Sequence, residues 1–153
     1  MSVAIPLHLL AAVIWVGGMF FAYVCLRPVV ASQLEPPARL KLFAGVFGRF
    51  FPWIWVCIGV LLATGFWLIF GPLGGMKSVG VHVHIMLAIG IVMMLVFIHV
   101  FFAPFRRLRL AVASEDWPAG GKALDTIRKL VATNTVLGVV TIFVGAGGRY
   151  LLG

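Results

Sequence analysis

The sequence predicts an all-α integral membrane protein, a four-helix transmembrane bundle with both termini on the outer (periplasmic) side. Three observations lead there. The chain is 63% hydrophobic and 10% charged, with a mean hydropathy of +1.15, whereas a soluble domain carries about a quarter charged residues. Four apolar stretches, at about 3–26, 50–70, 81–104 and 131–152, each reach the roughly 20 residues that a helix needs to cross the hydrocarbon. The basic residues, finally, are confined to alternate connections. Arg27, Arg39, Lys41 and Arg49 flank the first, and Arg106, Arg107, Arg109, Lys122, Arg128 and Lys129 fill the third, against only Lys77 and Arg149 elsewhere. That asymmetry puts the first and third connections in the cytoplasm. The 153 residues make one transmembrane domain, 1–153, that crosses the membrane four times.

Each span must be helical, because irregular backbone facing lipid leaves peptide groups unpaired. The first has no basic segment ahead of its apolar run and reads as a retained helix, not a cleaved signal. After Glu35-Pro36-Pro37, the run ARLKLFAGVFGRF predicts a short interfacial helix leading into the second span. GPLGGMKSVG is a brief loop of turn formers, so spans two and three are expected to be antiparallel neighbours. SEDWPAGG breaks the third connection, and KALDTIRKL begins a cytoplasmic extension of the last helix. Cys25 and Cys57 lie in apolar segments without a CxxC pattern and read as packing residues. Glycines recur in the spans and allow close helix approach, which permits a homodimer.

The net charge of +8 is explained by topology and does not point to nucleic acid. All four acidic residues fall in the connections, so no carboxylate is available in a span for a proton or cation relay. No GxSxG, P-loop, dinucleotide fingerprint or HExxH occurs, which removes support for hydrolase and nucleotide-driven chemistry.

The third span is the exception to this apolar uniformity. It holds His82, His84 and His99, three of the four histidines, and intramembrane ionisable groups are costly and mostly functional. His8, early in span one, and His84, early in span three, share a depth. Two imidazoles facing across a bundle can ligate one b-type haem iron. His82 and His84 differ by about 200° around the helix and cannot both face inward. His84 is taken as the inward one, sharing a broad face with His99, and His82 as facing the outer interface. His99 lies roughly 22 Å deeper, where Tyr23, Cys25, Cys57 and Asn134 are its candidate neighbours. Arg149 shares the depth of His8 and His84 and can pair with a haem propionate, while Trp15 lies two turns along from His8. Trp53, Trp55 and Trp67 are read as interfacial belts. The alternative is a copper site on His8, His82, His84 and Met86: His82-x-His84-x-Met86 supplies imidazole and thioether, with Met19, Met76, Met93 and Met94 adding soft sulfur.

LHLLAAVIWVGGMFFAYVCLRPV, with His8, Trp15-x-Gly17-Gly18, Phe20-Phe21 and Leu26-Arg27-Pro28, resembles the opening helix of the copper-resistance protein D (CopD) family. The likeness continues in RFFPWIW at Arg49–Trp55, VHIM at Val83–Met86, His99, and IRKLVATN ending at Asn134. It implies a small stand-alone form of that domain, multi-pass in a bacterial inner (plasma) membrane, and copper uptake across that membrane. More distantly the first span is similar to that of the haem-containing membrane protoporphyrinogen oxidases. That likeness implies haem b on His8 and a span-three histidine, with Arg27 near the site's inner end. Ala88 and Gly90 stand where that group's pattern has a lysine, which counts against porphyrinogen oxidation and leaves haem binding. The sequence thus offers two functions. One is a b-type haem protein, a membrane oxidoreductase exchanging electrons with quinone or a haem-pathway substrate. The other is a copper-binding or copper-importing protein with a periplasmic copper or redox partner.

Overall fold

The computed structural model describes residues 3–152. Six α-helices account for nearly all of them: α1 (Ala4–Phe20), α2 (Arg27–Gln33), α3 (Pro36–Phe70), α4 (Val81–Phe102), α5 (Pro104–Ala113) and α6 (Trp117–Leu151). A π-helical segment, Phe21–Leu26, joins α1 to α2 without a break. Four helical units, 4–33, 36–70, 81–113 and 117–151, are long and apolar enough to cross a membrane. They correspond to the four apolar stretches, and the first turn of α1 and the last turn of α6 lie at the same end of the bundle as the 71–80 loop. That end is called here the terminal end, and the opposite one the basic end.

The π-helical segment has a local cause. Pro28 is the second residue of α2, and in a regular α-helix its ring would collide with the carbonyl four residues back. The wider π turn immediately before it relieves that collision and shifts the register of everything beyond. At the other end, the 71–80 loop reverses the chain through Gly74 and Gly75, with φ of 76° and 97°, a backbone region in which glycine carries no Cβ penalty.

Around the bundle, α1 packs between α3 and α6, and α4 packs on α6. Large rings fill the space between α3 and α4. Phe51 lies edge-on to Phe97 with centroids 5.4 Å apart, and Trp55 meets Phe97 at 5.2 Å and Phe101 at 5.5 Å. Trp55 is therefore half-buried against the core, whereas Trp53 and Trp67 remain exposed as interfacial residues would be.

The basic end is as tightly built as the middle. Leu108 of α5 and Ile127 of α6 are fully buried, and α5 packs along α6 with further contact to α3 and α4. The expected interfacial helix after Pro37 is instead the first half of one continuous α3. Leu40, Phe43, Phe47, Phe51 and Ile54 form a buried stripe at three- and four-residue spacing that continues past Pro52. That stripe keeps the segment on the bundle rather than flat in an interface. α6 begins at Trp117, its N-terminus capped by the Asp116 carboxylate, which accepts from the Ala119 N–H at 3.2 Å. The break expected at SEDWPAGG is consequently shorter, and Gly120 and Gly121 are helical.

Candidate metal-binding seam between the third and last spans

α4 is apolar almost all round, so its orientation is decided by what its partners offer. The residues it turns inward fall on one line: His82, Met86, Met93, Phe97 and Val100. Met93, Phe97 and Val100 are buried, and His82 and Met86 are half-buried against α6. Four residues separate His82 from Met86, about 40° of helix rotation, and eleven separate it from Met93, about 20°. The three form a ladder roughly 16 Å long on one helix face.

The facing stripe of α6 has the same spacing and small or polar side chains: Asn134, Gly138, Thr141, Gly145 and Gly148. A Cβ on Gly148 would overlap His82, one on Gly145 would lie 2.8 Å from the Met86 methyl and 3.0 Å from its sulfur, and one on Gly138 would lie 3.2 Å from the Met93 methyl. Gly148 and Gly145 are thus notches holding His82 and Met86, while Gly138 receives Val16 of α1 most closely, at 2.7 Å, with the Met93 methyl beside it, the close approach that small residues permit between helices in lipid. Farther along, the Asn134 amide Nδ2 donates to the Met93 carbonyl at 3.0 Å, and the Thr141 hydroxyl sits 4.0 Å from the Met93 sulfur.

The donor atoms on this seam are soft and neutral. His82 Nδ1 is buried and has no hydrogen-bond partner among the described residues. Met86 and Met93 contribute thioethers one and three turns on. Imidazole with thioether is a donor set that suits copper, particularly copper(I). A site built from three or more His, Cys, Asp or Glu side chains does not form among the described residues. The donors along the seam are one imidazole and two thioethers, with no carboxylate or thiolate on its 82–86–93 line.

The model of the family "CopD: Copper resistance protein D" matches residues 44–147, about two thirds of the chain. The chain belongs to the copper resistance protein D family. No curated protein and no solved structure matches it. The matched stretch runs from within α3 almost to the end of α6, so it takes in RFFPWIW, VHIM, His99 and IRKLVATN. The first span, with His8 and Trp15, lies outside it.

Within this CopD bundle the remaining candidate residues are dispersed. His8 faces α3: its Nδ1 lies 2.8 Å from the Thr64 hydroxyl, and its ring edge lies over Gly65. Thr64 in turn donates to the Val60 carbonyl at 2.6 Å. His84 is exposed, with Nδ1 3.2 Å from the Gly80 carbonyl, and His99 is exposed too. His84 and His99 do share a face, but that face points away from the bundle, and His82 is the histidine that points in. The reason is steric, since the α6 glycines receive the 82–86–93 line. His8 and His84 consequently do not face one another, and the residues present do not fit a bis-histidine haem.

Trp15 is buried at the bundle centre, edge-on to Phe97 at 6.3 Å. Its Nε1 and the Asn134 Oδ1 are both without partners among the described residues, and both residues line one internal cavity of about 20 Å³. Asn134 pairs with α4 backbone and not with His99. Arg149 is exposed in the last turn of α6. Of the two cysteines, Cys57 packs in the core as expected and Cys25 is exposed. Thr64 and the Gly145–Gly148 notches were not among the expected site residues. The notches had a visible signal in the i, i+4 spacing of His82 and Met86, whereas a lone threonine in an apolar span has none.

Proposed function

We propose that this CopD-family protein binds copper(I) and carries it into or across a bacterial inner membrane, with both termini on the periplasmic side. The observation that carries this reading is His82. Its Nδ1 is buried and unpartnered among the described residues, on the same helix face as Met86. A buried imidazole nitrogen without a partner is costly, and a metal ion relieves that cost by accepting its lone pair. In the tautomer with the proton on Nε2, Nδ1 is the free donor.

The orientation rests on the basic residues. With the basic end in the cytoplasm, the His82–Met86 pair lies near the periplasmic face, where copper would enter. Met93 supplies the next sulfur on the same line, roughly 10 Å deeper. Thioethers are neutral and bind copper(I) without proton release, so a bundle lacking carboxylates in its spans can still hold the ion. Copper is the cargo in this reading, passed from the imidazole–thioether pair to the buried sulfur.

The test is uptake by proteoliposomes carrying the purified protein. Copper(I) added outside should accumulate in the lumen for the natural sequence, and His82→Ala and Met86→Leu should each slow it severalfold. Lumenal copper no higher than in empty liposomes would overturn the transport reading.

A further inference from the structure

At the basic end the π-helical segment, α2, the first half of α3 and the first half of α6 enclose a cleft of about 430 Å³. It lies on the far side of the molecule from the His82 seam, and its chemistry depends on neither the copper reading nor the orientation. We propose that this cleft is a binding site for an anionic phospholipid, with the headgroup phosphate on Arg27 and the acyl chains along its apolar walls.

Charge is the first argument. Arg27, Arg39 and Arg128 line the cleft with Asp125 as the only carboxylate among its lining residues. Asp125 is already engaged by both Arg128, at 2.5 Å, and Lys129, at 2.9 Å. Arg39 is likewise committed, its Nε donating to the Leu34 carbonyl and its Nη2 to the Ala31 carbonyl. Arg27 is different. Its guanidinium stacks over the Tyr23 ring with 5.2 Å to the centroid and pairs with no carboxylate among the described residues. A half-buried guanidinium placed over a ring and without a carboxylate partner among the described residues is available to an oxyanion.

The second argument is shape. Leu40, Phe43, Phe47, Leu124 and Val131 form the walls, and Ala22 and Val131 belong to the apolar spans. The cleft therefore runs from the level of the hydrocarbon to the charged end of the bundle. A free phosphate would use the arginine and leave the walls uncovered, whereas a phospholipid matches both. Basic pockets between transmembrane helices are the usual recognition site for acidic headgroups. The π-helical turn contributes as well, because it supplies Ala22 and Tyr23 to the cleft, and such turns gather at functional sites.

The experiment is native mass spectrometry of the full chain, delipidated in detergent and given dioleoyl phosphatidylglycerol, dioleoyl phosphatidylcholine or inorganic phosphate. The expected result is one retained phosphatidylglycerol, with phosphatidylcholine retained more weakly. Arg27→Gln should reduce retention about fivefold, the scale of one interfacial basic residue. Arg106→Gln, an exposed basic residue on α5 outside the cleft, should leave it unchanged. If Arg27→Gln does not fold, Arg27→Lys keeps the charge and loses the planar fork, and should show an intermediate loss. Equal retention of the two lipids, equal loss in Arg27→Gln and Arg106→Gln, or displacement of the lipid by millimolar inorganic phosphate would each overturn the proposal.

Discussion

His82 rests against Gly148, with no room between them for a side chain on α6. This contact fixes which face of α4 turns inward and therefore which histidine is available to the bundle. A methyl group at Gly148 must push the two helices apart or force His82 from its position. Gly148→Ala is accordingly expected to destabilise the protein by about 1–3 kcal/mol, the usual cost of overpacking. Gly17→Ala is the control, since nothing lies within 4 Å of an added Cβ there. Thermal denaturation in detergent should show a lowered midpoint for the first and none for the second.

The His8–Thr64 contact assigns His8 a packing role between α1 and α3. A double-mutant cycle with His8→Ala and Thr64→Val should give a coupling of about 0.6 kcal/mol, typical of interhelical hydrogen bonds in bilayers. Additive losses would mean that the two side chains do not interact. Copper binding should be unaffected by Thr64→Val.

Asn134 ties α6 to the α4 backbone at Met93. Replacing it with leucine removes that bond and puts a bulkier aliphatic group beside Trp15 and Phe97 around the small central cavity. The expected loss is about 1–2 kcal/mol, read as a lower unfolding midpoint with helix content retained by circular dichroism. An unchanged midpoint would mean that Asn134 does not set the α4–α6 register.

Much of this architecture was legible in the chain. The spans are apolar runs of the required length, and the extension of α6 was visible in KALDTIRKL. The face of α4 was not, and the reason is physical. From Val81 to Phe102 nearly every position is apolar, and lipid tails accept Leu, Ile and Val as readily as a helix neighbour does. Hydrophobicity alone therefore cannot separate the buried face from the lipid face. The information lay in a different helix, in the small residues Gly138, Gly145 and Gly148 that mirror the spacing of Met93, Met86 and His82. The 60° relation between His84 and His99 locates a shared face and not its direction. His8 was matched to His84 by depth, and depth says nothing about azimuth, which Thr64 and Gly65 decide. At the basic end, ARLKLFAGVFGRF reads as a short helix of its own, although the Leu40–Phe43–Phe47–Phe51 spacing carries straight on into the second span.

The most direct test of the seam is a copper(I) titration of the purified protein against a chromophoric copper(I) chelator, comparing the natural sequence with His82→Ala and His84→Ala. One tightly held copper per chain is expected. His82→Ala should weaken it by at least about tenfold, the scale on which even second-layer partners of metal ligands act, and His84→Ala should leave it within about twofold. Full-strength binding in His82→Ala, or its loss in His84→Ala, would contradict the assignment of the inward histidine as the copper ligand.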